Sequence, residues 1–259
     1  MTTTTLEIFS QSSEFDRWAY GNNDVKPEES LMLERFLDPG RSVLEGGTGA
    51  GRLVRSLAAR GFQSLAGFDF VPALIDVARQ RDTSGKIEFR VLEATSLDYA
   101  DGSFEQAIYL QQIISGLESD AARRKALREL RRVLVPGGVA IISFLGFEAR
   151  SRSRFMSAFM IYLRVLRAVT FAPRGPQQLP MLKLNERLRL RGLLDAGPYM
   201  YWIRIPEVHD LLSSEGFDIF AAGVDHELDQ GVVRSSCAEL AEHGAAGTIY
   251  VACRTRPSI

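Results

Sequence analysis

Cysteine, histidine and long apolar runs are what this sequence has least of. Two cysteines, Cys237 and Cys253, stand far apart, and the three histidines do not cluster with them. That spacing offers neither a disulfide framework nor a Cys/His metal site, so no metal is expected and a reducing compartment is. No apolar run reaches the roughly 18 residues that a membrane-spanning helix needs. The opening residues, Met1 to Thr5, lack a basic n-region and an apolar h-region, so no secretory signal is expected and the location expected is cytoplasmic. Charge of one sign is missing too: the formal net charge is −1. Nothing in that balance attracts nucleic acid or an anionic surface globally. What remains is a chain of 259 residues, 46% hydrophobic, which is enough for one sizeable core and a small accessory subdomain.

Turn residues and periodicity divide that chain. Glu14 to Leu37 has a helical pattern interrupted at Asn22-Asn23-Asp24 and Pro27. Strands at Ser42–Gly46, Ser64–Phe68, Lys86–Leu92, Phe104–Leu110 and Val139–Leu145 then alternate with helices at 52–60, 72–80 and 120–134, the last stopped by Pro136-Gly137-Gly138. Such alternation predicts βαβ units and a parallel sheet covered on both faces. The rhythm fails from Gly146 to about residue 205, where 155–171 reads as an amphipathic helix. It returns with a helix at 206–214 and strands at 217–224 and 247–253. Three parts follow: an N-terminal helical cover (1–40), a core (41–145 and 206–259), and an insertion (146–205).

The chemistry gathers at the carboxyl ends of the strands, where open parallel sheets bind ligands. The first strand ends in Glu45-Gly46-Gly47-Thr48-Gly49-Ala50-Gly51. Glycines there let the backbone turn sharply and let a ligand approach main-chain N–H groups. The second strand ends at Asp69-Phe70, where a carboxylate can accept from both hydroxyls of a ribose. The third runs into Glu93-Ala94, which can meet an exocyclic amine. The fourth ends at Gln111. Together they describe a pocket for an adenosine without a diphosphate. The spacing differs from Gly-x-Gly-x-x-Gly, the loop holds no cation for a phosphate, and Glu45 suits a cationic ligand. Blander roles stay open: a plain turn for the glycines, a helix N-cap for Asp69, a solvated carboxylate for Glu93, a cap for Gln111.

On the stretches VLEGGTGAGR, FDFVPALIDVAR, IEFRVLEATSLDYADGSFEQAIYL and LRELRRVLVPGGVAIIS, in that order, the sequence resembles the class I S-adenosylmethionine-dependent methyltransferases. LLSSEGFDIFAAG and AGTIYVACR resemble the family's closing hairpin. The resemblance implies a Rossmann-like α/β fold, with seven strands in the order 3-2-1-4-5-7-6 and the last antiparallel. It implies S-adenosylmethionine as cofactor, its methionine held by Glu45, Gly47 and Gly49 and its ribose by Asp69. Phe70 would lie against the adenine, Glu93 and Ala94 at its amine edge, and Gln111 beside the sulfonium, with Tyr20 closing over the site. Leu92 stands where a glycine often precedes the acid, which weakens the Glu93 assignment.

The acceptor is less legible. Neutral charge and the absence of a nucleic-acid module argue for a small molecule. Oxygen is the preferred acceptor atom over nitrogen or sulfur, because Tyr109-Leu110-Gln111-Gln112 stands where an Asn-Pro-Pro-Tyr motif would serve amino groups. A base for a hydroxyl is sought among the histidines: His209 reads as a surface residue, while His226 and His243 fall on loops at the ligand edge, with His226 preferred. The insertion reads as a lid, with a dimerisation helix, a membrane-surface helix and a solvated basic face as competing roles. Tyr199, Tyr201 and Trp202 could line the acceptor pocket. From Arg150 to Arg191 nine arginines and Lys183 face one acid, Glu186, and could bind an anionic acceptor. Two other functions remain: a nicotinamide-dependent oxidoreductase, and a non-catalytic cofactor-binding scaffold.

Overall fold

The computed structural model describes residues 12–21, 24–184, 187–188 and 190–257. Two helices come first, α1 (Ser12–Tyr20) and α2 (Pro27–Phe36). Then follow β1 (Val43–Gly46), α3 (Arg52–Ala59), β2 (Leu65–Asp69), α4 (Pro72–Arg81), β3 (Ile87–Val91), β4 (Phe104–Tyr109), α5 (Asp120–Val133) and β5 (Leu134–Leu145). After the insertion come α9 (Ile205–Ser214), β10 (Phe217–Val224) and β11 (Thr248–Thr255). The stretch between the last two strands, expected as a loop, forms two short helices, α10 (Asp225–Leu228) and α11 (Cys237–Glu242).

Seven strands form one sheet in the order β10-β11-β5-β4-β1-β2-β3. With β10 and β11 counted as the sixth and seventh core strands, this is 3-2-1-4-5-7-6. β11 runs antiparallel to both neighbours, and β1 to β5 pair in parallel. Every residue of β1 and β2 is buried, as expected of strands covered on both faces. One core layer joins the sheet to α5 and α9 through Leu127, Leu130, Val208 and Leu212; the other joins it to α2, α3 and α4 through Met32, Leu53 and Ile75. β5 begins at Leu134, five residues before the expected Val139. Its pairing with β4 jumps from Phe104↔Leu134 to Gln106↔Val139, so Pro136-Gly137-Gly138 is a bulge inside the strand rather than a turn before it.

The insertion leaves and rejoins the core at one point, the carboxyl end of β5. Ile203 N–H donates to the Leu145 carbonyl (2.9 Å) and Phe147 N–H to that of Ile203 (2.8 Å). Between them lie α6 (Phe147–Ser151), α7 (Arg154–Thr170), β6 (Gln178–Pro180), β7 (Lys183–Leu184), β8 (Arg187–Leu188), α8 (Leu190–Leu193) and β9 (Tyr199–Tyr201). β6 pairs antiparallel with β9. Arg167 holds this subdomain together from inside. Its guanidinium, 6% exposed, pairs with Asp195 through two bonds of 2.7 and 2.8 Å and donates to the carbonyls of Gly175 and Gln178.

Candidate active site

A cavity of about 1100 Å³ opens where β1, β2, β3 and β4 end, with the insertion as its opposite wall. Gly47, Gly49, Asp69, Phe70, Glu93, Ala94 and Gln111 all line it. Gly47 and Gly49 are in the left-handed region (φ +62° and +53°). A Cβ on Gly47 would come within 2.6 Å of Ile113, so the loop needs glycine there on two counts.

Asp69 is 6% exposed, and its carboxylate is fixed by the loop. Gly49 N–H donates to Oδ2 and Val71 N–H to Oδ1, each at 3.0 Å. Phe70 N–H also contributes to holding the Asp69 carboxylate, whose two oxygens, with about four lone-pair sites between them, keep accepting capacity for a ligand hydroxyl. Burial raises its carboxyl to about 6, against the stabilising backbone bonds.

Three expected site residues are corrected. Glu45 does not line the cavity. Its Oε2 accepts from Thr48 Oγ1 (2.6 Å) and Val54 N–H (3.0 Å), tying the glycine loop to the first turn of α3. Burial raises this carboxyl to about 7. Glu45 therefore positions the loop. Tyr20 also stays outside: it is 62% exposed, with Arg81 stacked over its ring. Trp18 lines the cavity instead. Residues two apart on a helix point about 200° apart, so only one of the pair can face the site. Trp202 packs under Arg150, 3.9 Å from its ring, against the Met156–Phe159–Leu163 cluster.

The histidines are corrected as well. His226 and His243 do not line the cavity. The ring of His226 is 55% exposed beside Asp225, and His243 Nδ1 lies 2.8 Å from the Glu239 carbonyl, where it must act as donor. Both follow or precede the right ends of β10 and β11, but those strands lie at the far edge of the sheet. β10 is four strand spacings from β1, about 19 Å. His209 is an exposed residue of α9.

Other groups in or behind the lining carry weak sequence signals. Glu29 in α2 is fully buried and receives the Arg52 guanidinium through two bonds of 2.7 and 2.9 Å, together with Gln111 Nε2. It thereby holds Gln111 at the end of β4, where Gln111 and Gln112 both take left-handed conformations (φ +57° and +61°). Two consecutive non-glycine residues there store strain beside a cavity. A Glu28-Glu29 pair opening a helix gives no hint of this use. Lys125 of α5 and, from the insertion, Arg174, Arg191, Tyr199 and Tyr201 line the other half. Arg174 stacks on Tyr199 at 4.4 Å and the buried Arg123 on Tyr201 at 3.8 Å. Carboxylates thus gather at the strand ends, and cations with aromatic faces stand opposite.

An open sheet of this order, with a glycine loop after β1 and a buried carboxylate after β2, is a Rossmann-like arrangement. Residues 43–138 match the methyltransferase-domain family model. A demethylmenaquinone methyltransferase of Thermus thermophilus is 32% identical over 127 residues, covering 48% of this chain and 55% of that protein. The match thus spans about half the length of that relative. A methyltransferase structure from Methanosarcina mazei aligns with a TM-score of 0.65 at 19% identity, covering 88% of this chain and 98% of its own. A Burkholderia thailandensis 1,6-didemethyltoxoflavin-N1-methyltransferase, solved with S-adenosylhomocysteine, aligns at 0.57 and 15% identity over 98% of this chain and 89% of its own. These likenesses support a class I S-adenosylmethionine-dependent methyltransferase, with S-adenosylmethionine as the cofactor that the matched domain would hold. The nicotinamide alternative finds no support in these likenesses. No cluster of three metal-ligating side chains exists among the described residues.

The two raised carboxyls predict a pH dependence. Glu45 and Asp69 hold protons more tightly when folded (about 7 and about 6) than at their ordinary values of 4.5 and 3.8. Stability must then fall as pH rises from about 5 to about 7.5, since the folded state binds more protons there. The arginine-paired carboxylates Glu129 and Glu227 shift downward, so their opposing effect lies below that window. The expected result is a melting temperature of the unliganded protein that declines across this range. Glu45→Gln should lose much of the slope, and a flat profile would contradict the buried-carboxyl account.

Proposed function

We propose that the protein transfers a methyl group from S-adenosylmethionine to a hydroxylated aromatic small molecule, at oxygen. The observation that carries this is the acceptor half of the cavity: Lys125, Tyr199 and Tyr201 all line it, and no histidine does. Gly47 and Gly49 would receive the methionine end, Asp69 the ribose hydroxyls, and Phe70, Glu93 and Ala94 the adenine. Bound there, the cofactor supplies an electrophilic methyl group on a sulfonium and leaves as a neutral thioether.

Without a histidine base, the acceptor must arrive as a phenolate or be made one by its surroundings. An ammonium beside the hydroxyl lowers its pKa, because a nearby opposite charge favours the ionised form. Lys125 is assigned that task, and the Tyr199 and Tyr201 rings that of aligning a planar acceptor. Gln111, held by Glu29, fixes the boundary between the two halves. The insertion serves as a lid that excludes water from the transfer.

A second reading has one observation in its favour. The Thermus thermophilus relative is named for a quinone acceptor, and a hydroquinone activated by Lys125 could take the methyl group on a ring carbon instead. Mass spectrometry and NMR of products from a panel of catechols, phenols and hydroquinones decide both points. An O-methyl product is expected. Lys125→Met should lower kcat by about 10- to 100-fold, the range for a positioned acid–base group, and move the pH optimum upward. Its S-adenosylhomocysteine affinity should not change. Undiminished turnover in Lys125→Met would remove the phenolate mechanism.

A further inference from the structure

One helix of the insertion is apolar on two opposite sides. α7 buries Met156, Phe159, Leu163 and Arg167 against its own subdomain. Its other face presents Phe155, Ile161, Val165 and Val169, each between 59% and 71% exposed. Phe171, the residue that caps the helix, is 90% exposed, and Leu190 and Leu194 are exposed in the same subdomain. A helix with apolar residues all round is normally covered on all sides, and a contiguous exposed patch marks a docking surface.

Charge selects the occupant. α7 contains no acid, and Arg154 and Arg164 are exposed along it. They are the charges this helix turns outward, since its third arginine, Arg167, is paired internally with Asp195. A second copy docked on this face would set the same cations against themselves, because a two-fold interface brings identical patches together. An anionic bilayer suits both the charge and the shape: at 17 residues, or about 25 Å, the helix can lie flat with its apolar stripe among the acyl chains and its arginines at the headgroups. Among the described residues no helix is long and apolar enough to cross a membrane, so the contact is with the surface.

We propose that the exposed face of α7 docks the protein on an anionic lipid surface. Phe171, just after α7, stands three residues before Arg174, which lines the cavity. The proposal stands without the methyl-transfer reading.

The test is flotation of the full chain with phosphatidylcholine vesicles, alone and mixed with phosphatidylglycerol. Binding only to the mixed vesicles is expected, weakening as salt rises. Phe155→Ser/Val165→Ser/Val169→Ser should lower the bound fraction about tenfold or more, with S-adenosylhomocysteine affinity unchanged. Arg164→Glu, which leaves the apolar stripe intact, should weaken binding independently and serves if the triple variant misfolds. A wild-type protein that stays in solution beside mixed vesicles overturns the proposal. So does binding that neither variant nor salt reduces, or a dimer that the triple variant dissociates without any vesicle binding.

Discussion

Asp69→Asn is expected to weaken S-adenosylhomocysteine binding by about 100-fold, roughly 2.7 kcal/mol. The size follows from two hydrogen bonds to a charged acceptor, each contributing about 1.5–3 kcal/mol, with part of each retained by a neutral amide oxygen. The substitution has a second cost. Both carboxylate oxygens already accept a backbone N–H, from Gly49 and from Val71. An asparagine must point its NH₂ at one of those donors, loosening the loop that approaches the ligand. Loss of affinity should exceed any loss of melting temperature, and calorimetry alongside thermal denaturation separates the two. An Asp69→Asn variant that binds like wild type would refute the ribose assignment.

Arg167→Ala should have the largest effect on stability. It removes four hydrogen bonds and leaves the buried Asp195 with only the more distant Arg174, 3.9 Å away, as a counter-charge. Breaking a buried pair by deleting one member costs about 3–5 kcal/mol. That cost falls on the insertion, whose connection to the core is a pair of strands at the end of β5. Rapid proteolytic cleavage within residues 146–205 is expected, together with loss of acceptor turnover. S-adenosylhomocysteine affinity should stay within a few-fold, because that half of the cavity is built by β1 to β4. Arg167→Lys should not rescue, since an ammonium cannot span Asp195 and two separate carbonyls as the planar fork does. Wild-type protease resistance in Arg167→Ala would show that another element organises the subdomain.

Much of the core was legible because backbone demands write themselves into residue type. The left-handed glycines, the acid closing β2 and the regular alternation of β and α patterns each report a local requirement, and the sheet order followed from the family they resemble. The histidine assignment failed on lateral distance. His226 and His243 were placed at the ligand edge through strand direction, yet the same strand order sets β10 and β11 several spacings from β1. Tyr20 failed on helix phase, which put Trp18 inward. Glu45 failed because a buried carboxylate can serve its own loop as readily as a ligand.

The insertion was least legible. Its arginines look alike in sequence, but the structure divides them: Arg167 is internal, Arg150 lies on Trp202, Arg174 is at the cavity, and Arg154 and Arg164 face outward. Only tertiary contacts separate those roles, because each arginine carries the same charge and stem. The acceptor pocket is assembled from short strands that leave no clear periodicity, so Lys125 of α5 and the Tyr199–Tyr201 strand come together without a shared motif.

The measurement that bears most directly on the cofactor site is a calorimetric titration of the wild-type protein with S-adenosylhomocysteine and, separately, with NADH. The account predicts saturable binding of one equivalent of S-adenosylhomocysteine, sharply reduced in Asp69→Asn, and no heat with NADH. Saturable NADH binding with none of S-adenosylhomocysteine would contradict it.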